Sequence, residues 1–184
     1  MPYPAQISPQ AILEAALELL EQEGSAALSM RNLAERLGVR APSLYRHYAD
    51  KEALERALSE QAAIILRRHI GQAAQQGSGR QAVLAAGRAY LEFARRHPEL
   101  YALLTEKVGL PSTPGAGKDL WGLVLSLVGN VTGNPDDTAA AVALWSLLHG
   151  FAVLERSGMF GPSGPQGGLE RGLEALLGGL EAQA

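Results

Sequence analysis

The chain has 184 residues, 47% of them hydrophobic and 19% charged, with a formal charge of −3. That balance fits a globular protein rather than a disordered one, and the length is enough to bury a core unaided. No cysteine is present, which excludes a disulfide framework, a thiolate metal site and a cysteine nucleophile.

Ala and Leu abound while β-branched and aromatic residues are few, so an all-α chain of about nine helices is expected. The stretch Met1 to Ser8 has neither a basic nor an apolar leader segment. No unbroken run reaches the roughly 18 apolar residues that span a bilayer. A cytoplasmic protein with no membrane contact is the expectation.

In chain order, Ser8 suits an N-cap, Pro9 the first helical position, and Ile7 can staple onto Ile12. Ile12, Ala16, Leu19 and Leu20 recur at helical spacing, and Gly24 ends that helix. Ser29 caps a second helix with Leu33, Ala34 and Leu37 on its apolar face, stopped by Gly38. Only Gly38-Val39-Arg40 precedes a third, short helix, whose first turn accepts Pro42. Leu44 and Tyr48 share one face of it, with Arg46 opposite.

Asp50 caps a long fourth helix over Lys51 to Gln76, followed by a loop at 75–79. A fifth runs from Arg80 to Arg96, broken by His97-Pro98, and a sixth from Glu99 to Lys107. Gly and Pro make a loop of 109–117, after which helices are expected over Lys118 to Val131, Asp136 to Arg156 and Leu169 to Glu181. Between the last two lies a Gly/Pro-rich loop, Ser157 to Gly168. The domain division expected is 1–50, holding a helix-turn-helix at about 29–48, and 51–184.

Charge is distributed unevenly. Residues 1–28 hold four acids and no Lys or Arg, whereas 29–51 hold Arg31, Arg36, Arg40, Arg46 and Lys51 against Glu35 and Asp50, a local balance of +3. Two short helices joined by a Gly-led three-residue turn form a helix-turn-helix, which projects the side chains of its second helix outward. An ordinary αα-corner has the same shape, so geometry alone leaves open a helical protein-interaction module, or a small-molecule-binding protein without DNA. The residue types favour DNA: Ser29 and Arg31 open the second helix, Lys51 opens the fourth, and Arg40, Ser43, Tyr45, Arg46 and His47 lie on or beside the third.

The stretch Ile12–Leu54, above all Leu33-Ala-Glu-Arg-Leu-Gly-Val-Arg-Ala-Pro-Ser-Leu-Tyr-Arg-His-Tyr-Ala-Asp-Lys-Glu-Ala-Leu54, resembles the tetracycline-repressor-like (TetR) family of bacterial regulators. The resemblance implies a homodimer on a palindromic operator, released when a small molecule occupies the C-terminal domain. It implies phosphate contacts from Ser29, Arg31, Tyr45, His47 and Lys51, and base-facing positions at Arg40, Ala41, Pro42, Ser43 and Arg46. Ala41-Pro42 stands where many relatives have Lys-Gly, leaving an apolar contact such as a thymine methyl. Tyr48 matches the family's core aromatic. The run Leu144 to Gly150 also resembles the Trp…His-Gly signature of one C-terminal subgroup.

The eighth helix is apolar nearly all round, from Ala139 and Val142 through Leu144, Trp145, Leu147, Leu148 and Phe151 to Leu154. Such a helix must be covered on every side, so one side lines an interior and another meets a partner. With the leucines of the last helix it can form a four-helix interface between two copies, although packing within a monomer is the alternative. Trp145 and His149, one turn apart, can line an effector pocket with Tyr90, Phe93, Tyr101 and Trp121. For each of these, ordinary core packing is the competing assignment. The mostly apolar lining points to an uncharged or lipophilic effector.

An enzyme would need a nucleophile or an acid–base pair on convergent elements. His149 and Asp136-Asp137 have no such partner at readable spacing, no Gly-rich phosphate loop follows a strand, and the four histidines show no metal spacing. No catalysis, cofactor or metal is expected.

Overall fold

The computed structural model describes residues 7–107 and 115–182. Most of the stretch Met1 to Ser8 and of the loop expected at 109–117 therefore lies outside the described residues. Within them the chain is all-α and forms α1 (Pro9–Glu23), α2 (Met30–Arg36), α3 (Ala41–Tyr45), α4 (Lys51–Ala74), α5 (Gly79–Arg96), α6 (Pro98–Ala102), α7 (Ala116–Thr132), α8 (Thr138–Arg156) and α9 (Gly168–Glu181). The sixth helix is shorter than its sequence suggests, because Leu103–Lys107 winds on as a π-helical turn.

Starts are set by short polar side chains. Ser8 Oγ accepts from the Ala11 N–H and Ser29 Oγ from the Asn32 N–H, both at 3.1 Å, and Asp50 and Asp137 carboxylates accept from Ala53 (2.7 Å) and Ala140 (3.0 Å). Each such cap is worth about 1 kcal/mol. Because Asp137 caps, α8 begins at Thr138 and not at Asp136.

The chain divides into two compact units, 1–62 with 97–112 and 63–96 with 113–184. The division falls inside α4 and not ahead of it, since Leu54 and Leu58 are fully buried members of the first unit. In that unit α2 packs on α1 and α3, and α6 packs on α1. The segment after α5 joins it through named polar ties: the His97 ring bonds the Glu21 carboxylate, and the Ser25 N–H donates to Glu99 at 3.0 Å. Buried Ile12, Leu20, Leu28, Leu33, Leu44 and Leu100 supply its apolar interior.

The second unit packs α5, α7, α8 and α9 on one another. Gly87 permits the close approach of α5: a Cβ there would lie 3.1 Å from Leu173 on α9 and 3.3 Å from Leu148 on α8. Arg95 grips Glu155 of α8 with two hydrogen bonds of 2.7 and 2.8 Å, and this pairing holds its guanidinium still more firmly protonated. Arg80 ties α5 to α9 through Glu174 and Glu181. Between α8 and α9 the Gly/Pro-rich stretch is a succession of turns, with Gly158, Gly161, Gly164 and Gly167 at positive φ.

α8 is apolar on its outer side as well as its inner one. Leu144, Leu148 and Ala152 are buried, while Val142 and Leu154 are 48% and 43% exposed. By length and mean hydropathy (19 residues, 1.4) α8 is apolar enough to cross a membrane, which a search for unbroken apolar runs overlooks because Ser146 and His149 interrupt it.

Candidate nucleic-acid interface

The site is built from α2, the turn after it and α3. Leu37 ends α2, and Gly38 takes a φ of +64°, a left-handed conformation that a side chain disfavours. The turn is closed by the Gly38 N–H to Glu35 O (3.1 Å) and the Val39 N–H to Ala34 O (3.0 Å). Arg40 then precedes α3, and Pro42 occupies the first turn of that helix, where its missing N–H leaves no orphan. Leu44 is fully buried and anchors α3 to the unit, while Tyr45 next to it is 50% exposed. Arg40, Pro42 and Arg46 are exposed, and Ala41, Ser43 and His47 are half-buried.

Tyr48, half-buried, donates from its phenol to the Pro9 carbonyl at 3.3 Å, and burial pushes its ionisation upward. It is therefore a neutral strut between the end of the motif and the start of α1.

The basic residues of 29–51 divide by partner. Arg36 is held against α1 by Gln22 (2.7 Å), Glu23 (3.3 Å) and Glu18 (3.5 Å), so its charge is neutralised within the fold. Arg31 pairs with Glu35 at 3.1 Å and Lys51 with Glu55 at 3.5 Å, both one helical turn away. The Arg31 pair is exposed at both ends, and such a pair is weak and readily exchanged for a phosphate, whereas the Glu55 side chain is largely covered. Among the described residues, Arg40 and Arg46 have no carboxylate partner. The sequence count of +3 is thus concentrated further, onto two free guanidinia flanking α3.

The aromatic residues of the expected effector pocket fall in different places. Tyr90 and Trp145 meet edge to face at 5.6 Å, and Trp121 meets Trp145 at 6.3 Å. Tyr90 and Trp145 line an apolar cavity of only about 20 Å3, room for about one water. Phe93 is fully buried against the His69 ring, and His149 is half-exposed on α8. Tyr101 is buried in the first unit, apart in the fold's division from the other five. A larger groove, of about 920 Å3, runs between α4 and α7 and was not singled out by sequence. Its signal was available: Ile64, Arg67, Arg68, Gly71 and Gln72 recur at i, i+3, i+4 along α4, and Gln75 follows its end.

Comparison with known proteins gives two family matches, the tetR family of bacterial regulatory proteins over residues 12–58 and the tetracyclin repressor-like C-terminal domain over residues 83–179. An uncharacterized HTH-type transcriptional regulator of Mycobacterium tuberculosis is 32% identical over 164 residues, covering 85% of this chain and 73% of that one. The class A tetracycline repressor from transposon 1721 of Escherichia coli is 47% identical over 55 residues, 30% of this chain and 26% of the repressor. Among solved structures, the Streptomyces coelicolor TetR family protein ActR in complex with (S)-DNPA shares the fold, with a TM-score of 0.71, 21% identity, and coverage of 98% of this chain and 100% of that one.

Proposed function

The chain belongs to the TetR family of DNA-binding transcriptional regulators, and from that premise we propose that it is a repressor released from a palindromic operator by a small effector. The observation that carries the DNA reading is α3 itself. It is anchored by buried Leu44 and exposes Tyr45 together with Arg40 and Arg46, whose guanidinia have no carboxylate partner among the described residues. A B-form major groove, about 12 Å wide, admits such a helix.

In this reading Arg40 and Arg46, with Ala41, Pro42 and Ser43, face base edges. Ser29, Arg31, Tyr45, His47 and Lys51 contact phosphates. The exposed pairing of Arg31 with Glu35 supports its place in that sorting, since a phosphate offers it a better partner than an exposed Glu. Two copies joined through α8 and α9 would set their α3 helices in successive major grooves, about 34 Å apart. The uncovered apolar face of α8 supports the dimer. The contact of Tyr90, Trp121 and Trp145 supports an effector with a substantial apolar part, and ActR offers a ligand-bound example of the fold.

The test is a gel-shift titration of the purified chain against DNA flanking its own gene at low ionic strength. Retardation of a fragment containing an inverted repeat, abolished by Arg40→Ala with Arg46→Ala, is the expected result. Failure to bind any such fragment would leave a helical interaction module as the better account.

A further inference from the structure

The groove between α4 and α7 has the chemistry of a specific kind of ligand site. One wall is the α4 stripe that carries Arg67 and Arg68, both exposed, and the other is α7, with Leu123 and Leu127. The turn at 77–79 belongs to the lining at one end. Among the described residues no Asp or Glu lines the groove, and neither guanidinium has an ion-pair partner. In the same unit Arg80, Arg88 and Arg95 are each paired with a carboxylate. Two adjacent unneutralised cations in a chain of net charge −3 make a local positive field over an apolar floor.

The apolar part continues inward. Leu127 lines both this groove and the small cavity beside Tyr90 and Trp145, and Ala82 and Ala86, one turn apart on α5, line one each. A volume of about 920 Å3 lies in the range of about 300–1,000 Å3 typical of small-molecule sites. We infer that the groove binds an anionic amphiphile, with a carboxylate or phosphate head on Arg67 and Arg68 and an aliphatic tail along Leu123 and Leu127 toward Trp145. Guanidinium forks bind both head groups by paired hydrogen bonds, so the two share one recognition chemistry. This names the effector class for the regulator reading and rests on that reading for its biological role. The ligand grips α4, the same continuous helix that opens at Lys51 beside α3.

The test uses the full chain and dodecanoate, dodecyl phosphate, dodecanol, dodecyltrimethylammonium and inorganic phosphate, all below micelle concentration. Calorimetry and the fluorescence of the chain's two tryptophans, Trp121 and Trp145, are read together. One of the two anionic amphiphiles should bind at one per chain, about tenfold or more tighter than the alcohol or the cation. Whichever anion binds better identifies the head group. Arg67→Gln with Arg68→Gln should erase that preference while leaving the alcohol unaffected. The double change to Lys should retain part of it. Gly71→Phe, which places a ring on the groove side of α4, should weaken the tail's contribution; a Cβ at Gly71 is in ordinary contact, 3.8 Å from Leu123.

Equal binding of dodecanol and the anions, unchanged binding in the double Gln variant, or inorganic phosphate as tight as dodecyl phosphate would each overturn the inference. Operator binding is measured on the same samples. Retained operator binding without amphiphile binding removes only this inference, whereas absent operator binding bears on the regulator reading alone.

Discussion

Arg36 and Arg46 are the same residue type ten positions apart in one helix-turn-helix, and the fold gives them opposite surroundings. Arg36 is fastened to Glu18, Gln22 and Glu23 of α1, while Arg46 has no carboxylate partner among the described residues. Arg46→Ala should therefore weaken operator binding by about 1–3 kcal/mol and relax sequence preference if it is bidentate to a guanine. An equal loss on every DNA sequence would reassign it to a phosphate. Arg36→Gln should lower thermal stability and leave the salt dependence of DNA binding unchanged. Because a dimer carries each residue twice, Lys51→Ala and Arg31→Ala should each reduce the slope of log K against log salt by about 1.8. A flattened slope in Arg36→Gln would show that Arg36 leaves α1 for the DNA. Gly38 isolates a backbone effect, since a Cβ there meets nothing within 4 Å and only its φ of +64° resists substitution. Gly38→Ala should cost about 1 kcal/mol. That loss corresponds to a melting temperature lower by about 2–4 °C, and an unchanged temperature would mean that the turn relaxes to negative φ.

At the scale of elements, what was legible in the sequence is what local chemistry decides. Ser8, Ser29 and Asp50 mark helix starts because a side-chain oxygen satisfies an orphan N–H within three residues, and the helix-turn-helix is read from Gly38 and its apolar neighbours for the same reason. What was not legible depends on which helix faces which. Tyr90, Trp121 and Trp145 do meet, but Tyr101, eleven residues after Tyr90, falls in the other unit, where His97 binds Glu21 of α1 and Glu99 accepts from the Ser25 N–H just beyond that helix. The stripe around Arg67 reads as an ordinary solvated face until α7 is known to stand opposite it. α8 is intermediate: its all-round apolarity is plain in the sequence, and the structure adds which side stays uncovered within one chain. Leu154→Glu, at a 43% exposed position on that side, should leave the monomer folded and convert a dimer to a monomer in size-exclusion chromatography. A variant that stays dimeric would direct the partner to another surface.

For the whole molecule, a net charge of −3 means that DNA attraction has to be local, and the proposed interface draws it from α2, α3 and the start of α4. If Arg31 and Lys51 of two copies neutralise four phosphates, log K should fall against log salt with a slope of about −3.6, before any share from Arg40 and Arg46. Dimerisation adds a second constraint, because a fixed pair of α3 helices demands a fixed distance along the duplex. About five base pairs inserted between the halves of the operator is half a helical turn, which carries the second half-site to the opposite side of the DNA. A chain held as a dimer should then fall to the affinity of one half-site, a loss that the linked second contact otherwise prevents. Leu154→Glu on the unmodified operator should show the same low affinity, since it removes the link instead of the spacing. Should the insertion leave affinity untouched while Leu154→Glu abolishes it, the two copies would have to be joined flexibly, and a rigid interface built from α8 and α9 would be excluded.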